Sequence, residues 1–196
     1  MTVDQEKNRL RDAARARRAE AARAAGPVSA ERLKQNVIGA LPAMASRGAA
    51  VSGYWPLPGE IDVRVLLSHL DDQGYVCALP VVVARKAPLI FRRWTPGLVL
   101  EVGPFDTRHP GAEQPEVRPN VLLVPLLTFD ADGYRLGYGG GFYDRTLGVL
   151  RSSGSPVAVG VAFAGQQVDH VPRDRYDQPL DWIVTEEKAV RIGGTP

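Results

Sequence analysis

The sequence predicts an α/β protein, with three α/β/α layers built around a mostly parallel central sheet. Short apolar runs, typical of strands buried on both faces, alternate with segments whose apolar residues recur at helical spacing. Strands that alternate with helices pair in parallel through right-handed crossovers, which places helices on both faces of the sheet. The arrangement is Rossmann-like, and we expect residues 1–196 to form a single domain because a chain of this length can bury a full core.

Two helices are predicted before the first strand. The first runs to Ala25 and is ended by Gly26 and Pro27, a pair that disfavours further helical turns. Ser29 is predicted to cap a second helix that ends at Gly48. Apolar residues of this second helix recur at helical spacing at Leu33, Val37, Leu41 and Met44.

The rest of the chain alternates strands with two further helices. One helix is predicted from Asp62 to Gly74, and the other over residues 143–150. Residues 95–120 carry five prolines and are expected to form an extended, irregular segment. The predicted strands are 49–54, 75–83, 89–94, 121–129, 156–164 and 182–185.

Composition excludes several classes of protein. The chain is 44% hydrophobic and 23% charged, which is ordinary for a globular protein. Its single cysteine, Cys77, excludes a disulfide framework and a thiolate metal cluster, and it points to a reducing compartment. No apolar run reaches the roughly 20 residues of a membrane span, and no signal-peptide pattern follows Met1. We expect a soluble, cytoplasmic protein, either a monomer or a weak dimer.

Positive charge is concentrated in the first helix, although the net charge is only +2. A basic helix can bind nucleic acid, but an Arg/Ala helix without interleaved aromatic residues is more typical of a solvated face. No nucleic-acid partner is therefore expected. Lys7 and Arg11 are four residues apart and share one face of this helix.

The most informative segment is residues 135–145, which holds four glycines within five positions. Glycine loses more backbone entropy on folding than any other residue, so this clustering requires a reason. A glycine loop that opens a helix gathers unpaired backbone N–H groups, and the helix dipole adds positive potential there. The segment therefore predicts a phosphate site. Its glycines are Gly137, Gly139, Gly140 and Gly141, and Phe142 and Tyr143 follow them.

Charged residues accompany this loop. Arg135 and Arg145 bracket it with permanent positive charge, and Asp144 stands where a carboxylate can hold a divalent cation beside phosphate oxygens. The alternative is a tight strand-to-helix turn in which Asp144 only favours the helix N-terminus. The loop lacks the Gly-Lys-Ser/Thr of a Walker P-loop, and it has Phe142 where the dinucleotide fingerprint requires glycine or alanine.

Residues 135–145 resemble the signature of the 5-formyltetrahydrofolate cyclo-ligase family, also called methenyltetrahydrofolate synthetases. Three further segments follow the order of that family. Residues 7–11 resemble its N-terminal Lys-x-x-Leu-Arg, and residues 54–62 resemble its Tyr-x-Pro-x-x-x-Glu-Ile-Asp stretch. Residues 176–186 resemble its closing His-Asp-x-x-x-Asp-x-Val-Thr-Glu, with Tyr176 in place of the histidine. The resemblance covers nearly the whole chain.

The resemblance implies an ATP- and Mg²⁺-dependent enzyme that converts 5-formyltetrahydrofolate to 5,10-methenyltetrahydrofolate and releases ADP and phosphate. It implies that Trp55 and Glu60 contact the folate, and that Asp181 aligns with a metal ligand and holds Mg²⁺ together with Asp144. Arg135 and Arg145 are the expected catalytic residues. The implied ATP-binding residues are Lys7, Arg11, Arg135, Gly137, Gly139, Gly140, Gly141, Phe142 and Tyr143.

Other interpretations stay open at this point. A kinase or phosphotransferase for another small metabolite would use the same loop, and a non-catalytic module would bind ATP without turnover. From the residue pattern alone, Trp55 is equally compatible with a core position and Glu60 with a solvated helix start. Asp130 and Asp132 are expected to form a hairpin turn rather than a metal site. The family usually carries Gly-Ile-x-Glu-Pro where this chain has residues 105–110, so the substrate contacts of that loop are not implied.

Overall fold

The computed structural model describes residues 2–193, which form four α-helices and eleven strands. The helices are α1 (Val3–Ala25), α2 (Ser29–Met44), α3 (Arg64–Asp72) and α4 (Phe142–Arg151). The strands are β1 (Ala50–Ser52), β2 (Val76–Val81), β3 (Ile90–Arg93), β4 (Leu100–Val102), β5 (Arg108–Pro110), β6 (Val121–Pro125), β7 (Thr128–Phe129), β8 (Arg135–Leu136), β9 (Val157–Val161), β10 (Trp182–Val184) and β11 (Ala189–Arg191). None of these helices is both long enough and apolar enough to cross a membrane.

Seven strands form the central sheet, in the order β11-β10-β9-β6-β1-β2-β3. The inner pairs β10–β9, β9–β6, β6–β1 and β1–β2 are parallel, whereas the outer strands β11 and β3 are antiparallel to their neighbours. Two small antiparallel ribbons, β4–β5 and β7–β8, lie outside this sheet. The predicted α/β fold with a mostly parallel sheet is confirmed.

Strand β6 shows how the core divides into two faces. Val121 and Leu123 belong to the cluster that contains the buried leucines of α2 and α3, while Leu122 and Val124 belong to the cluster that contains Leu147 of α4. All four β6 residues are fully buried, which explains why the sequence shows a continuous apolar run rather than an alternating one. Each large apolar side chain buried in this way contributes about 1.5–3 kcal/mol.

The predicted strand over residues 121–129 is wrong at its end. It breaks at Leu126, and the chain continues into the β7–β8 hairpin. Asp130 makes this turn, because its Oδ1 accepts the N–H groups of Asp132 and Tyr134 at 3.1 and 2.9 Å. The hairpin turn expected at Asp130 and Asp132 is confirmed, and the Asp132 side chain also forms an ion pair with Arg173 at 3.2 Å.

Helix boundaries and loops differ from prediction at several places. Ser29 lies inside the first turn of α2 and does not cap it, and that helix ends at Met44 rather than at Gly48. Helix α3 begins at Arg64, because Asp62 turns its carboxylate back onto the Arg64 N–H at 2.9 Å instead of entering the helix. The irregular segment 95–120 contains the β4–β5 ribbon, whose pairing depends on contacts that local propensity does not encode.

Gly160 in β9 provides a test of this packing. An added Cβ would lie 2.6 Å from Leu180 Cδ1 and 2.9 Å from Ile183 Cδ1, so Gly160→Ala should lower the free energy of unfolding by about 1–3 kcal/mol. The matched control is Gly39→Ala in α2, where the added methyl meets no atom within 4 Å and should raise stability by about 0.5–1 kcal/mol. Urea denaturation of both variants measures the difference, and equal effects would contradict the packing described.

Candidate active site

A cavity of about 950 Å³ opens at the carboxyl ends of the parallel strands β1, β2 and β6. Trp55 reaches it from the segment after β1, and Pro125 reaches it from the end of β6. Helix α1, the glycine loop (residues 137–141) and residues 174–178 complete the wall. Ligands of open parallel α/β sheets bind at this edge.

The glycine loop connects β8 to α4, so it opens the helix as predicted. Gly139 and Gly141 have φ values of +99° and +63°, which residues with a Cβ rarely adopt. Within residues 2–193, the N–H groups of Gly139, Gly140 and Gly141 have no protein acceptor, and all three residues line the cavity. Unpaired N–H groups at a helix N-terminus form an anion-binding site.

Helix α1 packs against this loop through Arg11. The Arg11 Nε donates a hydrogen bond to the Gly137 carbonyl at 3.0 Å. A Cβ placed on Gly139 would lie 3.1 Å from Arg11 Cζ, so the loop backbone and the guanidinium are already in close contact. The predicted helical face shared by Lys7 and Arg11 is confirmed, since both residues line the cavity.

Lys7 is a buried cation whose charge two carboxylates balance. Its ammonium group donates to Asp177 Oδ2 at 2.5 Å and to Asp174 Oδ2 at 3.1 Å. Burial acts to lower the pKa of Lys7, but the hydrogen bonds and charges of the two aspartates outweigh burial and raise the pKa above its usual value. Lys7 therefore stays charged and fixes residues 174–177 to α1.

Arg135 and Asp144 form a pair at the cavity wall. The Arg135 guanidinium is buried and donates to Asp144 Oδ1 at 2.7 Å. The Gln178 N–H donates to the same oxygen at 3.0 Å. Within residues 2–193, Asp144 Oδ2 accepts no hydrogen bond, so this half-exposed carboxylate has one oxygen that a ligand can use.

Arg145 supports the loop from the opposite side to α1. Its guanidinium donates to the Gly140 carbonyl at 2.7 Å and to the Ala87 carbonyl at 3.3 Å, and it stacks on Phe142 at 5.2 Å from the ring centre. No carboxylate of residues 2–193 forms an ion pair with Arg145. It therefore adds an unbalanced positive charge beside the loop amides.

Glu60 is a buried carboxylate at the cavity wall, in contact with Tyr138 of the glycine loop. Its side chain is 4% exposed, and it lies 3.7 Å from the Arg18 guanidinium. Its Oε2 accepts the Leu57 N–H at 2.8 Å, and its Oε1 accepts the Tyr138 hydroxyl. Burial raises the pKa of Glu60 above its usual value, although these hydrogen bonds and the Arg18 charge oppose the rise. The solvated helix-start alternative is wrong for this residue.

Aromatic rings complete the cavity. Trp55 lines it and is half-buried, and the Arg64 guanidinium stacks on the indole at 4.9 Å. The hydroxyl of Tyr143 is buried without a hydrogen-bond partner in residues 2–193, and burial raises its pKa. Leaving such a group unpaired costs about 1–3 kcal/mol. Tyr143 can therefore bind a polar atom of a ligand in the cavity.

The structure does not bring Asp181 to this cavity. Asp181 precedes β10 at the amino ends of the parallel strands, where its Oδ2 accepts the Ala158 N–H at 2.7 Å and pairs with Arg151 at 3.0 Å. Its expected role as a metal ligand beside Asp144 is inconsistent with this position. No group of three or more His, Cys, Asp or Glu side chains in the described chain is arranged to hold a metal ion.

Sequence analysis missed Arg18, Tyr138 and the Asp174/Asp177 pair. Apart from Lys7 and Arg11, the charge of the first helix was expected to lie on a solvated face, but the Arg18 side chain is 11% exposed because it packs against Glu60 and Tyr138. A signal was present: Lys7, Arg11 and Arg18 are spaced by four and seven residues, which keeps them on one helical face. Ala14 and Ala21 of the same face are buried against the protein.

Fold and cavity together define an α/β protein with an anion-binding glycine loop that is neither a Walker nor a dinucleotide motif. The sequence model of the 5-formyltetrahydrofolate cyclo-ligase family matches residues 3–186. The chain belongs to the 5-formyltetrahydrofolate cyclo-ligase family. The resemblance described from its motifs is confirmed.

Individual relatives agree with this assignment. The chain is 36% identical to the 5-formyltetrahydrofolate cyclo-ligase of Haemophilus influenzae over 132 residues, which is 65% of this chain and 70% of the relative. It is 34% identical to the Escherichia coli K12 enzyme of that name over 144 residues, covering 71% of this chain and 79% of the relative. The solution structure of Aquifex aeolicus 5,10-methenyltetrahydrofolate synthetase superposes with a TM-score of 0.77 at 28% identity, over 97% of this chain and 94% of that one.

The glycine loop generates a prediction for nucleotide binding. Gly139→Val places a side chain against Arg11 at a φ of +99°, so the loop must shift and its N–H groups lose their arrangement. Hydrogen bonds to a charged group contribute about 1.5–3 kcal/mol each, so ATP affinity should fall about 10-fold or more by calorimetry.

The matched control is Gly97→Val, at a φ of +84° with no atom near the added Cβ. Gly97 carries the same backbone strain outside the cavity, so its ATP affinity should stay at the wild-type value. Wild-type ATP affinity in Gly139→Val would mean that the loop is only a turn and does not bind the nucleotide.

Proposed function

We propose that this chain converts 5-formyltetrahydrofolate to 5,10-methenyltetrahydrofolate at the glycine-loop cavity, with ATP as co-substrate and ADP and phosphate as the other products. The observation that carries the proposal is the set of unpaired amides at Gly139–Gly141, next to the unbalanced charge of Arg145. Glu60 and Trp55 line the same cavity and can bind a flat, polar ring. The cavity therefore combines groups suited to phosphates with groups suited to a pteridine.

The chemistry explains why such a site needs no histidine dyad. A formamide carbonyl is a poor electrophile, and its oxygen is a poor leaving group. Transfer of the γ-phosphoryl group from ATP to the formyl oxygen breaks the β–γ bond, releases ADP and forms an imidate-like phosphate. The neighbouring folate amine then attacks the formyl carbon and loses its proton, and the oxygen leaves with the phosphate. Phosphoryl transfer depends mainly on positioning and charge neutralisation.

On the nucleotide side, we assign the phosphates to the amides of residues 137–143 and to the N-terminus of α4. Arg145 neutralises charge on the transferred group, since its guanidinium has no competing carboxylate in the described chain. Arg135 contributes charge but also holds Asp144 in place at 2.7 Å. We assign Arg11 and Lys7 of α1 to the same nucleotide, with Arg11 adding positive charge and Lys7, whose charge Asp174 and Asp177 balance, holding the wall in place.

A magnesium ion fits the donor set at Asp144. Asp144, whose Oδ2 is free, lines the same cavity as the unpaired amides of the glycine loop. Mg²⁺ commonly binds one or two carboxylates together with substrate phosphates and water. When bound, the ion neutralises phosphate charge and orients the γ-phosphoryl group. Asp181 is not part of this site, and we assign Asp144 as a protein ligand of the ion.

On the folate side, we assign Trp55 as a stacking surface and Glu60 as an acceptor for the N–H groups of the pteridine ring. Arg64 already stacks on the Trp55 indole at 4.9 Å, so the ring is held at the cavity wall. Glu60 is fixed by three contacts and buried, and a buried carboxylate is a strong hydrogen-bond acceptor.

We further infer a cytoplasmic enzyme that acts as one domain and is a monomer or weak dimer. A single seven-stranded sheet takes its strands from Ala50 through Arg191, which supports one domain. Cys77 is buried and free, and burial raises its pKa to about 12, so this thiol is inert and has no disulfide role.

One assay tests the proposed activity directly. Purified protein is mixed with ATP, Mg²⁺ and 5-formyltetrahydrofolate, and formation of the methenyl product is followed by its absorbance. Product formation that requires ATP and stops on chelation of Mg²⁺ is expected. ATP turnover without methenyl product would favour a phosphotransferase for another metabolite, and ATP binding without turnover would favour a nucleotide-binding module.

Asp144 and Asp181 form a matched pair for testing the metal site. Each carboxylate accepts one arginine and one backbone N–H, but only Asp144 lines the cavity. Asp144→Asn should lower kcat about 10–100-fold and raise the Mg²⁺ concentration for half-maximal rate. Asp181→Asn should keep the wild-type Mg²⁺ titration. The rate is measured against Mg²⁺ concentration for both variants. A wild-type Mg²⁺ titration in Asp144→Asn would mean that Asp144 only holds Arg135 and the backbone at Gln178.

Arg11 should serve ATP rather than folate. Arg11→Gln removes a cation that contacts the glycine loop, so the KM for ATP should rise about 10-fold or more while the KM for folate changes little. Arg9→Gln is the control, since Arg9 is exposed on the same helix and does not line the cavity. Steady-state kinetics with each substrate varied in turn measure both constants. A larger rise in the folate KM would place Arg11 on the other side of the cavity.

A further inference from the structure

Arg18, Tyr138 and Glu60 form a three-membered cluster that joins α1, the glycine loop and the folate side of the cavity. The Arg18 guanidinium donates to the Tyr138 hydroxyl and to the Pro58 carbonyl, the latter at 3.3 Å. The Tyr138 hydroxyl donates onward to Glu60 Oε1. The side chains of Arg18 and Glu60 are only 11% and 4% exposed, so water has little access to the pair.

Arg18 provides the positive charge that favours the ionised form of Glu60. Arg18 is the one cation of residues 2–193 within ion-pair distance of Glu60, at 3.7 Å. The other titratable groups near this carboxylate are the hydroxyls of Tyr54, Tyr138 and Tyr143, whose pKa values burial raises, so they stay neutral. A carboxylate removed from water takes up a proton unless a charge or hydrogen bonds favour its ionised form.

We propose that Arg18 is a positioning residue of the cyclo-ligase reaction, which holds Glu60 ionised and, through Tyr138, aimed into the cavity so that it can accept hydrogen bonds from the pteridine ring. The inference rests on the folate role proposed for Glu60 and extends it to a residue of the N-terminal helix. Arg18 does not line the cavity. It acts through Glu60 because the guanidinium is permanently charged and lies behind the carboxylate.

The sign of the pH effect follows from this geometry. Without the Arg18 charge, burial is opposed only by the Tyr138 and Leu57 hydrogen bonds, so the pKa of Glu60 rises further. Protonated Glu60 cannot accept the same bonds from the ring. The acid limb of folate turnover should therefore move to higher pH, while ATP binding, which uses the backbone amides of residues 139–141, should change little.

The experiment compares pH profiles of kcat/KM for 5-formyltetrahydrofolate. In Arg18→Met, kcat/KM should fall about 10-fold or more at neutral pH, and the acid limb should move to higher pH. The KM for ATP should stay within about twofold of the wild-type value. Arg18→Lys keeps the charge and should keep the acid limb near its wild-type position. Arg17→Met is the control, because Arg17 is exposed on the same helix and makes no contact with the cluster.

Tyr138→Phe is a second variant that tests the same cluster in case Arg18→Met fails to fold. It removes one hydrogen bond to Glu60 from a partly exposed ring and should shift the acid limb in the same direction by a smaller amount. An unchanged acid limb in both Arg18→Met and Tyr138→Phe, or an equal loss at every pH, would overturn the positioning role.

Glu60→Gln separates this inference from the function on which it rests. Unchanged folate kinetics in Glu60→Gln would remove the role proposed for Glu60 and the inference with it. A large loss in Glu60→Gln without any pH shift in Arg18→Met would overturn the inference alone. In the double variant Arg18→Met/Glu60→Gln, the pH profile should be the same as in Glu60→Gln alone, because the titrating carboxylate is absent.

Discussion

The cavity depends on how helix α1 docks through three cations on one of its faces. Lys7 binds Asp174 and Asp177, Arg11 binds the glycine loop, and Arg18 binds Glu60, so one helix ties together three distant parts of the chain. Lys7 and Arg18 are largely buried with their carboxylate partners, so these ion pairs help to fix the position of α1 beside the cavity. Of these three cations, Arg11 is the one without a carboxylate partner in the described chain, so it adds positive charge beside the glycine loop.

The glycine loop is held in a way that leaves its donors free. Arg11 occupies the Gly137 carbonyl and Arg145 occupies the Gly140 carbonyl, while the N–H groups of residues 139–141 find no protein acceptor in the described chain. Gly139, Gly140 and Gly141 line the cavity, so their unpaired N–H groups are open to a ligand there. The two arginines bind the loop carbonyls and so stabilise the loop. An anion would supply the acceptor that the loop N–H groups lack.

The two carboxylates of the cavity differ because their surroundings differ. Asp144 is half-exposed, shares one oxygen with Arg135 and Gln178 and leaves the other open, which suits a hydrated cation. The Glu60 side chain is almost fully buried, and both of its carboxylate oxygens accept hydrogen bonds within the protein. A carboxylate fixed in this way suits directional contacts to a flat ring. Asp181 has the same chemistry as Asp144 but lies at the amino ends of the strands, so an aspartate beside an apolar strand does not by itself define a metal ligand.

The sequence by itself determined the layered α/β fold and the family, and it predicted a phosphate site at the glycine loop, because periodicity, glycine clusters and short motifs are local properties of the chain. It also located Lys7, Arg11, Arg135, Asp144 and Glu60 as candidates for the site. Only the tertiary structure decided that Arg18 is buried and that Asp181 is excluded. Both outcomes depend on pairs far apart in sequence, such as Arg18 with Tyr138, which are separated by 120 positions. Burial and charge balance are set by neighbours in space, and no local pattern records which neighbours the folded chain will bring together.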